Sequence, residues 1–164
     1  MGAATQGAVR ALTCARGWAG YVSLPRPEVD VATNPFITAD APPAPSRAYT
    51  LTLRNTGQRF RVDPGALPTR EDGHDGSVLG TLLANGVDID HSCGGVCACS
   101  TCHIYVLSGG DSAPESIDEE EDMLDLAPAL RESSRLACQF VPDGSVDVEI
   151  ELPAWNRNEV SEDH

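Results

Sequence analysis

The sequence predicts one α+β domain in which a mixed sheet packs around a single helix, with a second, short acidic helix beside it. Segments 49–62 and 146–152 alternate apolar and polar residues, as half-buried strands do. Between them, "SVLGTLLANG" at 77–86 repeats its apolar residues at helical spacing. This order of elements fits the β-grasp arrangement over residues 48–152, a usual size for a domain.

The first predicted element is a hairpin. Apolar residues alternate with polar ones at 49–53 and again at Phe60 and Val62, and "NTG" at 55–57 lies between as a turn. A long loop is expected at 63–76, because this stretch is rich in proline, glycine and charge.

The helix predicted at 77–86 should lie on the sheet and end at Asn85–Gly86, a left-handed stop. "HIYVL" at 103–107 is continuously apolar, which predicts a third, central strand. The final strand is predicted at 146–152, where apolar residues alternate with acids.

A short acidic helix is predicted over "DEEEDMLDLA" at 118–127. Ser116 and Glu119 form a capping-box pattern ahead of it, and Pro128 is expected to end it. The expected buried stripe consists of Ile117, Met123, Leu124 and Ala127.

The composition favours a soluble protein with basic partners. The net charge is −14, from 25 acidic and 11 basic residues, and every basic residue is an arginine. This excess of acid opposes binding to nucleic acid and to anionic membranes. No stretch approaches the ~20 consecutive apolar residues of a transmembrane helix, so membrane insertion is not expected.

The two ends of the chain are predicted to lie outside the domain. Residues 1–47 are rich in Ala, Gly and Pro without sustained periodicity, which predicts a flexible N-terminal extension. The start also lacks the uninterrupted apolar run of a secretory signal. Residues 153–164 read as a polar tail with Trp155 as its candidate anchor.

The cysteines give the strongest functional indication. Cys93, Cys99 and Cys102 have C-x5-C-x2-C spacing in one loop, and Cys138 follows from a distant segment. Four thiolates, two on each iron, are what a [2Fe–2S] cluster requires. Gly94 and Gly95 suit a backbone that wraps closely around such a cluster, because glycine permits positive φ.

Other uses of these cysteines remain open on spacing alone. A structural zinc site prefers two close pairs of ligands, and only Cys99 and Cys102 are spaced in that way. The same two residues could form a redox pair, although such a pair usually precedes a helix and here a strand is expected. A disulfide scaffold would spread its cysteines more widely than positions 93–102.

Three motifs occur in the order "CGGVCACSTCH", "DEEEDMLDLA" and "SRLACQ". Together they closely resemble the vertebrate-type and iron–sulfur-assembly-type [2Fe–2S] ferredoxins, the adrenodoxin-like family, over roughly residues 48–152. "PAWNRNEV" near the C-terminus is similar to bacterial members. Plant-type ferredoxins have one residue fewer between the first two cysteines.

The resemblance implies roles for individual residues. The ligands of one [2Fe–2S] cluster would be Cys93, Cys99, Cys102 and Cys138. Gly94 and Gly95 would support the cluster loop, and His103 would link that loop to the core by hydrogen bonding. The docking surface for redox partners would consist of Asp118, Glu119, Glu120, Asp122 and Asp125, although charged helix surfaces also simply solvate a protein.

Two further cysteines have no ligand role in this resemblance. Cys97 matches an extra cysteine of the bacterial assembly ferredoxins, and a redox role is expected only if it is exposed. Cys14 lies in the extension and is expected to have no role.

The function implied by the resemblance is one-electron transfer, and the protein is not expected to be an enzyme. A flavin-containing NAD(P)H–ferredoxin reductase would reduce the cluster, and either the iron–sulfur assembly machinery or a cytochrome P450 would oxidise it. We expect a monomer in the bacterial cytoplasm, with the mitochondrial matrix as the second choice. The alternative is an electron bridge or structural subunit fixed inside a larger complex.

Overall fold

The computed structural model describes residues 40–68 and 72–154. The predictions for residues 1–39, for Cys14 and for Trp155 therefore lie outside the described residues. The strands are β1 (Tyr49–Leu53), β2 (Gln58–Val62), β3 (His103–Ser108), β4 (Ser134–Leu136) and β5 (Val148–Glu151). The helices are α1 (Val78–Ala84) and α2 (Asp118–Leu124), and single 3-10 turns occur at Pro64–Ala66 and Gly110–Ser112.

The five strands form one mixed sheet in the order β2-β1-β5-β3-β4. β1 pairs with β2 antiparallel and with β5 parallel, whereas β3 is antiparallel to both β5 and β4. The predicted α+β class and hairpin are confirmed. β3 is an interior strand, but β5 occupies the middle of the sheet, and the three-residue β4 was not predicted.

Helix α1 contributes Val78, Leu79 and Leu82 to the same apolar core as the sheet. Its C-terminus ends as predicted. Gly86 has a φ of 73°, and the Val87 N–H donates to the Leu82 carbonyl 3.0 Å away. This back-bonded turn is typical of a Schellman motif and closes the helix.

The N-terminus of α1 supports the segment that carries Cys138. The Val78 N–H donates to the Phe140 carbonyl at 3.0 Å, and the Leu79 N–H donates to the Ala137 carbonyl at 2.9 Å. The first N–H groups of a helix have no partner within the helix, so they are available for this purpose. The helix thus fixes the backbone on both sides of Cys138.

Three local predictions were wrong. Ser116 does not cap α2, because its hydroxyl donates to the Glu121 carboxylate at 2.7 Å and Ile117 occupies the N-cap position. The helix ends at Leu124, well before Pro128. The last strand begins at Val148 rather than 146. At the preceding residue, the Thr50 N–H donates to the Asp147 side chain at 2.7 Å instead of to a backbone carbonyl.

The last residues of the predicted extension are part of the packed structure. Pro45 is buried, and the N–H groups of Ser46 and Arg47 both point at the Asp143 carbonyl, at 2.9 and 3.3 Å. Gly144 lies so close to the backbone of Arg47 that an added Cβ would be 2.0 Å from the Arg47 carbonyl oxygen. The packed domain therefore begins a few residues before β1.

Candidate metal centre

The loop at 91–102 is folded against a neighbouring turn that was expected only as loop. Gly94 and Gly95 have φ angles of 71° and 82°, as predicted for a wrapping backbone. A Cβ added to Gly95 would lie 2.1 Å from the backbone nitrogen of Gly73. Only a glycine allows the two backbones to approach this closely, so the turn around Gly73 forms one wall of the site.

The four predicted ligand cysteines come together as two pairs. The sulfur atoms of Cys102 and Cys138 are fully buried and 3.5 Å apart. This distance is far beyond a disulfide bond and close to the ~3.8 Å expected for two thiolates on one tetrahedral metal with bonds of about 2.3 Å. Cys93 and Cys99 are half-buried and hydrogen-bonded to each other. None of the five described cysteines forms a disulfide.

In each pair, a hydrogen bond between the two sulfurs shifts the pKa values of both thiols. The hydrogen bond from the Cys93 thiol, assisted by the Thr101 hydroxyl, lowers the pKa of Cys99 to about 5. The same hydrogen bond raises the pKa of Cys93, and burial raises it further. In the buried pair, the bond between the two sulfurs lowers the pKa of Cys138 and raises that of Cys102. A metal ion can replace the proton in such a bond, since it binds thiolates.

All four sulfurs accept at least one backbone N–H. The donors are Cys93, Gly95, Cys97, Ala98, Thr101 and Cys138. Such donors stabilise negative charge on the sulfur atoms, and they tune the potential of a metal bound there. The predicted wrapping of the loop around the sulfurs is therefore present.

Cys97 is a packed thiol whose backbone serves the site. Its side chain is 3% exposed, and burial raises its pKa to about 12. Its φ of 55° is unusual for a residue with a side chain, and its N–H points at the sulfur of Cys138. The exposure that would allow a redox role for this thiol is absent.

Two side chains that contact predicted ligand cysteines were not predicted from the sequence. The Thr101 hydroxyl lies 3.1 Å from the Cys99 sulfur and accepts the Ser92 N–H at 2.9 Å. The Gln139 amide donates to the Cys138 sulfur at 3.3 Å. Both residues immediately neighbour a ligand cysteine in the sequence, which is the signal that could have indicated them.

A single metal ion is a poor match for this geometry. Within 40–68 and 72–154, no group of three or more His, Cys, Asp or Glu side chains converges as one ion would require. A tetrahedral structural zinc site needs four ligands on one ion. Two separate pairs of thiols instead suit a binuclear cluster, in which each iron takes two cysteines.

His103 links the end of the loop to the sheet edge. Its Nε2 lies 2.7 Å from the Ser134 hydroxyl oxygen, which also accepts the Arg131 N–H at 2.9 Å. Burial lowers the pKa of His103, with the Arg131 charge as the second cause. The neutral ring thus ties the residue after Cys102 to β4.

Four of the five acids predicted to dock partners are accessible at the surface. Asp118, Asp122 and Asp125 are exposed, and Glu119 is half-exposed. Glu120, in contrast, is 1% exposed and forms two hydrogen bonds to the Arg135 guanidinium at 2.9 and 3.0 Å. It also accepts the Leu136 N–H at 2.8 Å. Glu120 is therefore a structural residue between α2 and β4, and its prediction as a docking residue was wrong.

Residues 60–143 match the family described as the 2Fe-2S iron-sulfur cluster binding domain. The chain belongs to this family. The ferredoxin is 51% identical over 77 residues to a 2Fe-2S ferredoxin of Haemophilus influenzae, covering 47% of this chain and 67% of that protein. It is 40% identical over 101 residues to the mitochondrial adrenodoxin homolog of Saccharomyces cerevisiae, covering 60% of this chain and 59% of that protein.

The fold comparison agrees with the sequence comparison. An ISC-like [2Fe-2S] ferredoxin from Pseudomonas putida aligns with a TM-score of 0.53 and 33% identity, over 70% of this chain and 99% of that chain. The adrenodoxin-like resemblance is thereby confirmed, and this ferredoxin is an electron-transfer protein with one [2Fe–2S] cluster rather than an enzyme. Within its described portion, no helix is long and apolar enough to cross a membrane.

Proposed function

We propose that one iron of the cluster is held by Cys93 and Cys99 and the other by Cys102 and Cys138. The observation that carries this assignment is the pairing of the four sulfurs, with 3.5 Å between the two buried ones. When bound, the cluster supplies a centre that accepts and releases one electron. The backbone N–H groups around the sulfurs stabilise the additional negative charge of the reduced form.

Replacement of single cysteines tests the assignment. Cys138→Ser should lose most of its visible thiolate-to-iron absorption and its acid-labile sulfide, because one ligand is missing. Cys97→Ser is the matched control, since Cys97 lies in the same loop and is also buried. It should keep wild-type iron and sulfide content. Loss of the cluster in Cys97→Ser together with retention in Cys138→Ser would refute the assignment.

The accessible acids of α2 and its C-cap are proposed to dock a flavin-containing NAD(P)H–ferredoxin reductase and the electron acceptor. The docking residues are Asp118, Glu119, Asp122 and Asp125, to which the exposed Glu121 is added. The helix lies near the site, because Glu119 and Glu120 both raise the pKa of Cys97 through their charge. Clustered acid on such a surface accelerates encounter with a basic partner.

The docking proposal predicts a charge-dependent rate. Asp122→Asn combined with Asp125→Asn should slow reduction by a purified flavoprotein reductase about tenfold at low salt, and the difference should shrink at high salt. The control is Asp88→Asn, an exposed acid in the loop after α1. Stopped-flow reduction kinetics measure the effect. Equal slowing in the control would point to net charge rather than to a docking helix.

For the electron acceptor, we propose the iron–sulfur assembly machinery ahead of a cytochrome P450. The Pseudomonas putida relative is described as ISC-like, and Cys97 matches the extra cysteine of assembly ferredoxins. The reduced ferredoxin should therefore support cluster formation by a purified desulfurase and scaffold. Turnover of a P450 without such support would favour the other acceptor.

The proposed compartment is the bacterial cytoplasm, with the mitochondrial matrix second, since relatives of both origins match the chain. The proposed working form is a free monomer. Size-exclusion chromatography of native lysate tests this form, because stable migration with a large assembly would instead indicate a fixed electron bridge.

A further inference from the structure

Gln139 and His74 form a short chain of side chains that ends on the sulfur of Cys138. The Gln139 Nε2 donates to the Cys138 sulfur at 3.3 Å, and the His74 Nε2 lies 3.1 Å from the Gln139 Oε1. The backbone of the same turn is also joined to the ligand, since the His74 N–H donates to the Cys138 carbonyl at 3.3 Å. Gln139 is 8% exposed, so its amide sits largely away from solvent.

The two ends of the Gln139 amide are not interchangeable in this position. A thiolate only accepts hydrogen bonds, so the amide nitrogen must face the sulfur and the amide oxygen must face away. The imidazole of His74 supplies an N–H for that oxygen. Because the amide oxygen only accepts hydrogen bonds, the His74 Nε2 carries the hydrogen in this contact.

Two side-chain hydrogen bonds orient the amide. Its nitrogen donates to the Cys138 sulfur, and its oxygen faces the His74 ring. Gln139 and His74 also line one cavity of about 250 Å³, whose wall includes Pro42, Ile117 and Arg135. The hydrogen bond from His74 is therefore the side-chain contact that keeps the amide oxygen turned away from the sulfur.

We propose that His74 and Gln139 are positioning residues that set the reduction potential of the cluster through the Cys138 sulfur. This inference rests on the proposed ligand assignment. The reduced cluster carries one more negative charge, so a donor to its thiolate stabilises the reduced form more than the oxidised form. Gln139 supplies the donor, and His74 acts only through Gln139.

The test measures the midpoint potential of purified holoproteins by spectroelectrochemistry. Gln139→Leu removes the donor while keeping an apolar side chain, and we expect reduction to become about tenfold less favourable, a shift of 59 mV to more negative potential for one electron. Gln139→Met serves the same purpose if the leucine variant does not fold. His74→Ala should shift the potential in the same direction by less, because the amide then turns among several orientations.

A double-mutant cycle separates this mechanism from a general disturbance of the site. His74→Ala should shift the potential in the wild-type background and have no further effect in Gln139→Leu. His91→Ala is the matched control, since His91 is the first residue of the loop at 91–102 and its ring contacts the Ile89 carbonyl at 2.8 Å. Its potential should equal that of the wild type.

The outcomes distinguish this inference from the ligand assignment. Iron, sulfide and visible absorption at wild-type levels in every variant, with unchanged potentials, would overturn the positioning role and leave the ligands intact. An equal shift for His74→Ala in both backgrounds would likewise overturn it. A wild-type protein that binds no iron and sulfide would overturn the ligand assignment itself.

Discussion

At the scale of single residues, Gly95 shows how tightly the site is built. The position combines a positive φ with contact to the backbone of Gly73. Gly95→Ala should therefore destabilise the loop by about 2–4 kcal/mol, from backbone strain and overlap together. Gly86→Ala is the control, because Gly86 has a φ of 73° but no atom within 4 Å of its added Cβ. It should cost about 1 kcal/mol.

The measurement is the rate at which the visible absorption of each holoprotein bleaches on heating. Much faster bleaching for Gly95→Ala than for Gly86→Ala is expected. Equal rates would show that the close approach to Gly73 contributes nothing to cluster retention.

The sequence predicts some of the residues that shape the site but not others. Gly94 and Gly95 are identifiable because glycines between ligand cysteines suit a wrapping backbone. Gly73 and His74 are not, because their roles depend on a contact between segments far apart in the chain. No periodicity or spacing encodes that the turn at 72–74 lies against Cys138.

At the scale of elements, Glu120 joins α2 to β4. Its carboxylate accepts from Arg135 and from the Leu136 N–H while almost fully buried. Glu120→Gln keeps the shape but leaves the Arg135 charge uncompensated, which should cost about 3 kcal/mol. Glu121→Gln, on the exposed side of the same helix, should cost less than about 0.5 kcal/mol.

Chemical denaturation of the two variants, followed by circular dichroism, compares them directly. If Glu121→Gln lost as much stability as Glu120→Gln, the buried ion pair would not be what holds α2. The two variants should also differ in the proposed docking, since Glu121 is exposed and Glu120 is buried.

Helical spacing could have indicated the role of Glu120. It lies four residues before Leu124, which is buried, so the two side chains share one face. The run of acids by itself predicts a charged surface and does not distinguish Glu120 from its neighbours. Conversely, the strands at Tyr49–Leu53 and Gln58–Val62 were predictable, because alternation over a full hairpin is a strong pattern. β4 has only three residues, which are too few to show an alternating pattern.

At the scale of the whole molecule, the four proposed ligands come from two distant parts of the chain. Cys93, Cys99 and Cys102 lie in one loop, while the backbone on either side of Cys138 is bonded to the N-terminus of α1. Binding free energy at such a site is also folding free energy. Removal of iron should therefore lower the midpoint of thermal unfolding clearly, and iron with sulfide should restore it.

Hydrogen exchange of the iron-free protein shows which parts of the chain lose stability when iron is removed. Amides in 91–102 should lose protection first, whereas those pairing β1 with β2 should retain it, because that hairpin has its own ladder. Uniform protection with and without iron would mean that the cluster contributes little to the fold.

In the proposed site, two pairs of cysteines each hold one iron. Mössbauer spectroscopy of the iron-57 protein, with iron and sulfide counted per chain, tests this arrangement. We expect two irons and two sulfides per chain, both sites with tetrahedral sulfur coordination, and one ferric and one ferrous site of equal area after one-electron reduction. A single metal ion per chain, or iron without acid-labile sulfide, would contradict it.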